Sequence, residues 1–215
     1  IYLGSGFGPM ASNVAVQEQI FRDRECPKPF DFMNILGASV GFHVAKNLGL
    51  TGQNLFVSRR GASLEAALTL AQADLELGVV SQALVGVVEE VTLPLGEHRR
   101  RRGLPADTPV AEGSHWLLLE PGGSAARSLQ LRQPKDLAEL EEYLQAHYRP
   151  GDRCYWMLDK DVTAIAALAQ RFMAGAVVDS GIHDCQQAAW LTEFLASGAS
   201  GNLFLMGTES ERGRS

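Results

Sequence analysis

The chain has 215 residues, enough for one large domain or two small ones with a sizeable buried core. Apolar residues make up 46% and charged residues 20%, the balance of a globular protein and not of a disordered one. The net charge of -6 gives no reason to expect a nucleic-acid partner, and no apolar run is long enough to span a bilayer.

In chain order, strands and helices alternate. Residues 1–3 read as a short buried strand running into Gly4, Gly6 and Gly8, with no basic n-region or cleavage site of a leader. An opening in mid-strand leads us to expect lost sequence upstream. A helix is expected over 12–21 and a turn at Cys26-Pro27-Lys28-Pro29. Ile35, Ala38, Phe42, Ala45 and Leu48 recur every three or four residues and predict one helix over 34–48, stopped by Gly49 and Gly52. A strand over 55–58 leads to a helix over 62–77 that is apolar nearly all round and expected to be deeply buried. Residues 82–88 suit a strand covered on both faces.

Residues 93–112 carry Pro94, Gly96, Gly103, Pro105 and Pro109 around Arg99-Arg100-Arg101-Arg102 and read as an exposed loop. Strands are expected at 115–120 and 128–132, joined by a hairpin turn over 121–127. Helices over 136–147, 161–172 and 183–195 then alternate with strands over 154–158, 176–178 and 202–206. Repeated β-α units predict mostly parallel sheets covered by helices, divided into a first half of residues 1–134 and a shorter one of 135–215. Cys26, Cys154 and Cys185 are odd in number and lie at no metal-ligand spacing. They point to a reduced, cytoplasmic chain in which we expect no metal and no cofactor.

Three stretches carry a family pattern. Asn47-Leu48-Gly49-Leu50-Thr51-Gly52-Gln53-Asn54 forms a glycine turn ahead of a strand. Phe56-Val57-Ser58-Arg59-Arg60-Gly61-Ala62-Ser63-Leu64-Glu65-Ala66-Ala67-Leu68 forms a strand, an elbow and a helix. Residues 78–89, GVVSQALVGVVE, follow, and HWLLLEP from His115 suits a further strand ending in Glu. The chain resembles the β-ketoacyl synthases, the condensing enzymes of the thiolase-like kind. The resemblance implies a layered α/β/α/β/α fold with mixed, mostly parallel sheets, here with a compressed second half.

In that family a cysteine nucleophile sits at the elbow, where the helix N-terminus favours a thiolate. The alignment puts Arg60 at its position; a slip of one residue gives Arg59 or Gly61, and none of the three forms a thioester. Of the two family histidine motifs, the first has no counterpart. The second is loosely matched by Ser180-Gly181-Ile182-His183-Asp184-Cys185. The resemblance therefore implies a non-catalytic subunit similar to chain-length factors. Its expected partner is an active synthase-like protein in polyketide, aryl polyene or fatty-acid biosynthesis, paired through Leu55, Phe56, Val57, Ser58 and Arg59. An acidic acyl carrier protein is expected to meet Arg99 to Arg102.

Two other readings stay open. One is an enzyme with a different nucleophile: Ser63 at the elbow, Cys26, or Cys185 near His183. Residues two apart on a helix point to different faces, which weakens the last. The other is a module that holds an acyl chain against the helix over 62–77.

Overall fold

The computed structural model describes residues 1–91, 94–102, 105–122, 127–157, 167–168, 171–172, 177–179 and 185–207. For residues 101–102, 156–157, 177–179 and 207 it describes the backbone alone. The chain divides into two compact units, residues 1–126 with 182–185, and residues 127–181 with 186–215.

The first unit is built on strands β1 (Tyr2–Gly4), β2 (Leu55–Val57), β3 (Ala83–Glu89) and β4 (Gly113–Leu119), in the order β2-β1-β3-β4. The first three are parallel and β4 runs antiparallel to β3. Helices α1 (Met10–Phe21), α2 (Pro29–Asn34) and α3 (Ala38–Leu48) connect β1 to β2. Helix α4 (Ser63–Glu76) crosses from β2 to β3, and α5 (Leu95–Arg102) lies between β3 and β4.

Side chains alternate across a strand, which sorts the two faces. Tyr2 and Gly4 look toward α4: the Tyr2 hydroxyl donates to Asp74 at 2.6 Å, and Gly4 abuts the Ser63 backbone. Burial, and then the Asp74 carboxylate, raise the Tyr2 pKa. Phe56 looks the other way, its ring lying where a side chain on Gly37 would be. α3 and α4 therefore cover opposite faces of the sheet.

That close approach explains why the apolar run over 34–48 is not one helix. The chain breaks at residues 35–37 so that the Gly37 backbone can sit against Phe56. Helix α4 also departs from expectation. Leu64, Ala67, Leu68 and Ala71 form one buried stripe, while Leu70 and Leu77 are exposed. Alanine content made it look buried all round, although it presents a single face to the sheet.

The expected loop holding the four arginines contains α5. Pro94 precedes its first residue and Gly103 follows its last, the usual punctuation of a helix. Glu97 pairs with Arg100 at 2.7 Å, one turn away. The expected strand over 128–132 is not formed, and of the turn expected over 121–127, residues 123–126 lie outside the described residues. Arg127 instead donates to the carbonyls of Ala199 and Gly201, and Arg132 lies over the Tyr143 ring. These contacts commit the segment to the second unit.

The second unit has β5 (Arg153–Met157), β6 (Val177–Asp179) and β7 (Leu203–Gly207) in the all-parallel order β6-β5-β7. Helix α6 (Leu137–His147) starts from Asp136, whose carboxylate accepts the Glu139 N–H at 2.9 Å. Helix α7 (Gln186–Ala196) precedes β7. Of the helix expected over 161–172, the residues described, 167–168 and 171–172, are helical. Leu144, Cys154 and Leu168 form the core.

Asp152 clamps the entry to β5 and β7. It accepts the Asn202 backbone N–H at 2.8 Å, the Asn202 side-chain amide at 3.0 Å and the Arg149 N–H at 2.9 Å. Burial alone would raise its pKa. The hydrogen bonds from Asn202 and Arg149, with the Arg149 charge, outweigh burial and hold it below the ordinary aspartate value. A depressed carboxylate contributes stability above its unfolded pKa and loses it as pH falls through the folded one. The clamp is therefore expected to weaken below about pH 4. Asp152→Asn is expected to cost about 1–2 kcal/mol at neutral pH and to flatten that acid limb. Urea titrations followed by tryptophan emission over a pH series would check both.

Candidate functional site

In a sheet ordered β2-β1-β3, the crevice outside the carboxyl ends of the strands is where an α/β fold places a site. Three segments of this chain converge there. They are the loop Ser5–Pro9 after β1, the elbow Ser58–Ala62 after β2, and Glu89 with Glu90 at the end of β3.

The elbow turns sharply. Arg60–Ala62 form a single 3-10 turn that feeds α4. Arg60 has φ 49°, the left-handed region, and Arg24 is the other described non-glycine residue with positive φ. A β-carbon costs about 1–2 kcal/mol in that region, and such strain collects at nucleophile elbows and other functional turns. Of Arg59, Arg60 and Gly61, Arg60 is the one whose backbone takes up the left-handed region. Its side chain is exposed. Arg60→Gly should release the strain and raise stability by up to about 1 kcal/mol, less the entropy that glycine adds to the unfolded chain. A urea midpoint that does not rise would show that the turn is unstrained.

Ser63 holds the elbow together. Its hydroxyl is fully buried, accepts the Arg59 N–H at 2.9 Å, and shares its proton between the carbonyls of Arg60 at 2.7 Å and Ser5 at 3.1 Å. A hydroxyl so enclosed is a clamp rather than a nucleophile open to substrate. Ser58 donates to the Gly6 carbonyl at 3.1 Å and ties the same turn to the β1 loop.

The glycine loop is satisfied from within. Glu89 is buried and accepts the Gly6 N–H, and Glu90 accepts the Ala11 N–H at the start of α1 at 2.9 Å. Phe7 stands edge-on to His98 of α5, with ring centroids 5.7 Å apart. The sequence pattern over 78–89 ends on Glu89 without giving it a role, and Glu90, Ser5 and His98 carried no sequence expectation. A pair of carboxylates ending an otherwise apolar strand was the signal for the first two, since a carboxylate at such a place needs donors.

The other sequence candidates are scattered. His183 lies outside the described residues. Cys185 is fully buried, and Cys26 is exposed on the segment between α1 and α2. Burial pushes the Cys154 thiol up to about 12, with the Asp152 charge adding to it. In the arginine run, Arg99 donates to the Thr108 carbonyl at 2.9 Å and Arg100 pairs with Glu97, while the side chains of Arg101 and Arg102 lie outside the described residues. No helix among the described residues is long and apolar enough to cross a membrane.

Two α/β units with mostly parallel sheets, the first carrying a strained strand-to-helix elbow, are consistent with a thiolase-like fold. No family model matches the chain, and neither does any curated protein. Solved structures do. The ishigamide ketosynthase/chain length factor superposes with a TM-score of 0.61 at 17% identity, over 90% of this chain and 64% of that one. The ketosynthase ApeO in complex with its chain length factor ApeC, from Xenorhabdus doucetiae, is similar over 57% of this chain and 49% of that one, with 20% identity and a TM-score of 0.48. The chain spans less than two thirds of the length of either. Its fold is that of the ketosynthase/chain length factor proteins.

Proposed function

We propose that the chain is a non-catalytic ketosynthase-like subunit that docks on an active synthase-like partner in polyketide, aryl polyene or fatty-acid biosynthesis. The observation that carries this reading is Arg60 at the strained elbow, where the synthases it resembles hold their cysteine. A guanidinium stays protonated and cannot attack an acyl group. The partner would seat on β2, at the edge of its sheet. The basic end of α5, Arg99 to Arg102, would meet an acidic acyl carrier protein. A cytoplasmic location goes with such a pathway.

The test is a condensation assay on the chain alone with acyl- and malonyl-loaded carrier proteins. No β-ketoacyl product is expected, since loss of a catalytic group costs several orders of magnitude in rate. Arg60→Cys is expected to stay inactive as well, because no counterpart of the first histidine motif is present. Turnover by the unmodified chain would contradict the proposal.

A further inference from the structure

We propose that the subunit seated on β2 delivers a carboxylate to Arg60, and that it is a second α/β subunit with an acidic residue ahead of its own edge strand rather than a second copy of this chain. The inference rests on the reading of β2 as the docking edge.

The hydrogen-bond pattern of β2 fixes which groups a partner meets. Leu55 N–H donates to the Ile1 carbonyl at 2.9 Å, and the Val57 carbonyl accepts Ser5 N–H at 3.1 Å. Leu55 and Val57 thus turn their peptide groups to β1, and the N–H and C=O of Phe56 between them face away from the sheet. Among the described residues nothing pairs with that side. The surface beside it is apolar. α3 packs on β2, and the segment before and within it exposes Phe30, Phe32, Met33, Leu36 and Phe42 by half or more. The three phenylalanines together leave roughly 300–400 Å² of apolar side chain exposed. Residues 32–45 hold no Asp, Glu, Lys or Arg, the charge depletion of an interface centre.

Arg60 stands three residues beyond this strand, exposed, in a backbone conformation that favours glycine, and it forms no ion pair with any described residue. An arginine at the rim of an apolar contact needs a carboxylate, because a desolvated guanidinium without one opposes association. Antiparallel pairing brings the residues ahead of the partner's edge strand opposite Arg60. In a second copy these are Leu50, Thr51, Gly52, Gln53 and Asn54, and none is acidic. Self-pairing therefore leaves Arg60 unmatched, and a chain with Asp or Glu in that stretch matches it.

The test builds the missing carboxylate into this chain. Self-association of the unmodified chain, Gln53→Glu, Thr51→Glu, Arg60→Gln and the two double variants would be measured by sedimentation equilibrium at low and high salt. At least one of the two glutamates is expected to tighten association tenfold or more at low salt, and less at high salt. Adding Arg60→Gln should abolish the gain. No gain from either glutamate, a gain that survives Arg60→Gln, or a tight salt-insensitive dimer of the unmodified chain would overturn the proposal. Val57→Asp separates the failures. If it dissociates the dimers while Arg60 shows no coupling, β2 is the interface and the carboxylate is wrong. If it changes no mass, the docking edge itself falls, and this inference with it.

Discussion

Replacing Gly4 with alanine is expected to destabilise the first unit by about 3 kcal/mol, the upper end of what overpacking costs. A β-carbon on Gly4 would lie 2.7 Å from the carbonyl oxygen of Ser63 and 3.1 Å from its carbonyl carbon. Both are backbone atoms of the first turn of α4, so no rotamer change relieves the clash. Ser63 is in turn held by Arg59, Arg60 and Ser5, so the helix can retreat only by opening the elbow. Gly86 gives the contrast. A β-carbon there would meet the Trp116 ring on β4, which is a side chain and can swing. Gly86→Ala is expected to cost no more than half as much. Urea denaturation of both variants would check the order; equal losses would mean that α4 is free to shift on the sheet.

The same contact shows how far the sequence could be read. The alternation of strands and helices was legible because each element carries its own period, and the glycines near 49 and 52 marked a real stop, with Gly49 in the left-handed region. The elbow was legible as small residues between a strand and a helix. The strain was not, since the alignment that puts Arg60 at the elbow, with Arg59 or Gly61 on a slip of one residue, says nothing of the backbone angle that Arg60 adopts. The break between α2 and α3 was hidden because it answers to Phe56, far along the chain. The arginine run was misread for a different reason. Four adjacent like charges suggest an open loop, yet arginine is a good helix former, and Glu97 one turn before Arg100 offsets part of the repulsion. The strand expected over 128–132 failed because Arg132 lies over Tyr143 and Arg127, just before it, anchors to the carbonyls ahead of β7. No local pattern announces that choice.

Val57→Asp is expected to abolish association. The peptide groups that would pair with a partner belong to Phe56, next to Val57, so its carboxylate would be covered by a strand paired there, on the α4 face of the sheet. Burying a carboxylate there without a partner costs several kcal/mol, a hundredfold or more in affinity. Val57 is half-buried against the α4 face, so the fold of the variant needs its own check by circular dichroism and a urea midpoint. The most direct test of a subunit that works by docking through β2 is sedimentation equilibrium of the chain before and after this one substitution. The account predicts a reversible dimer of the unmodified chain at tens of micromolar and a folded monomer for Val57→Asp. An assembly of the unmodified chain whose mass the substitution leaves unchanged would contradict it.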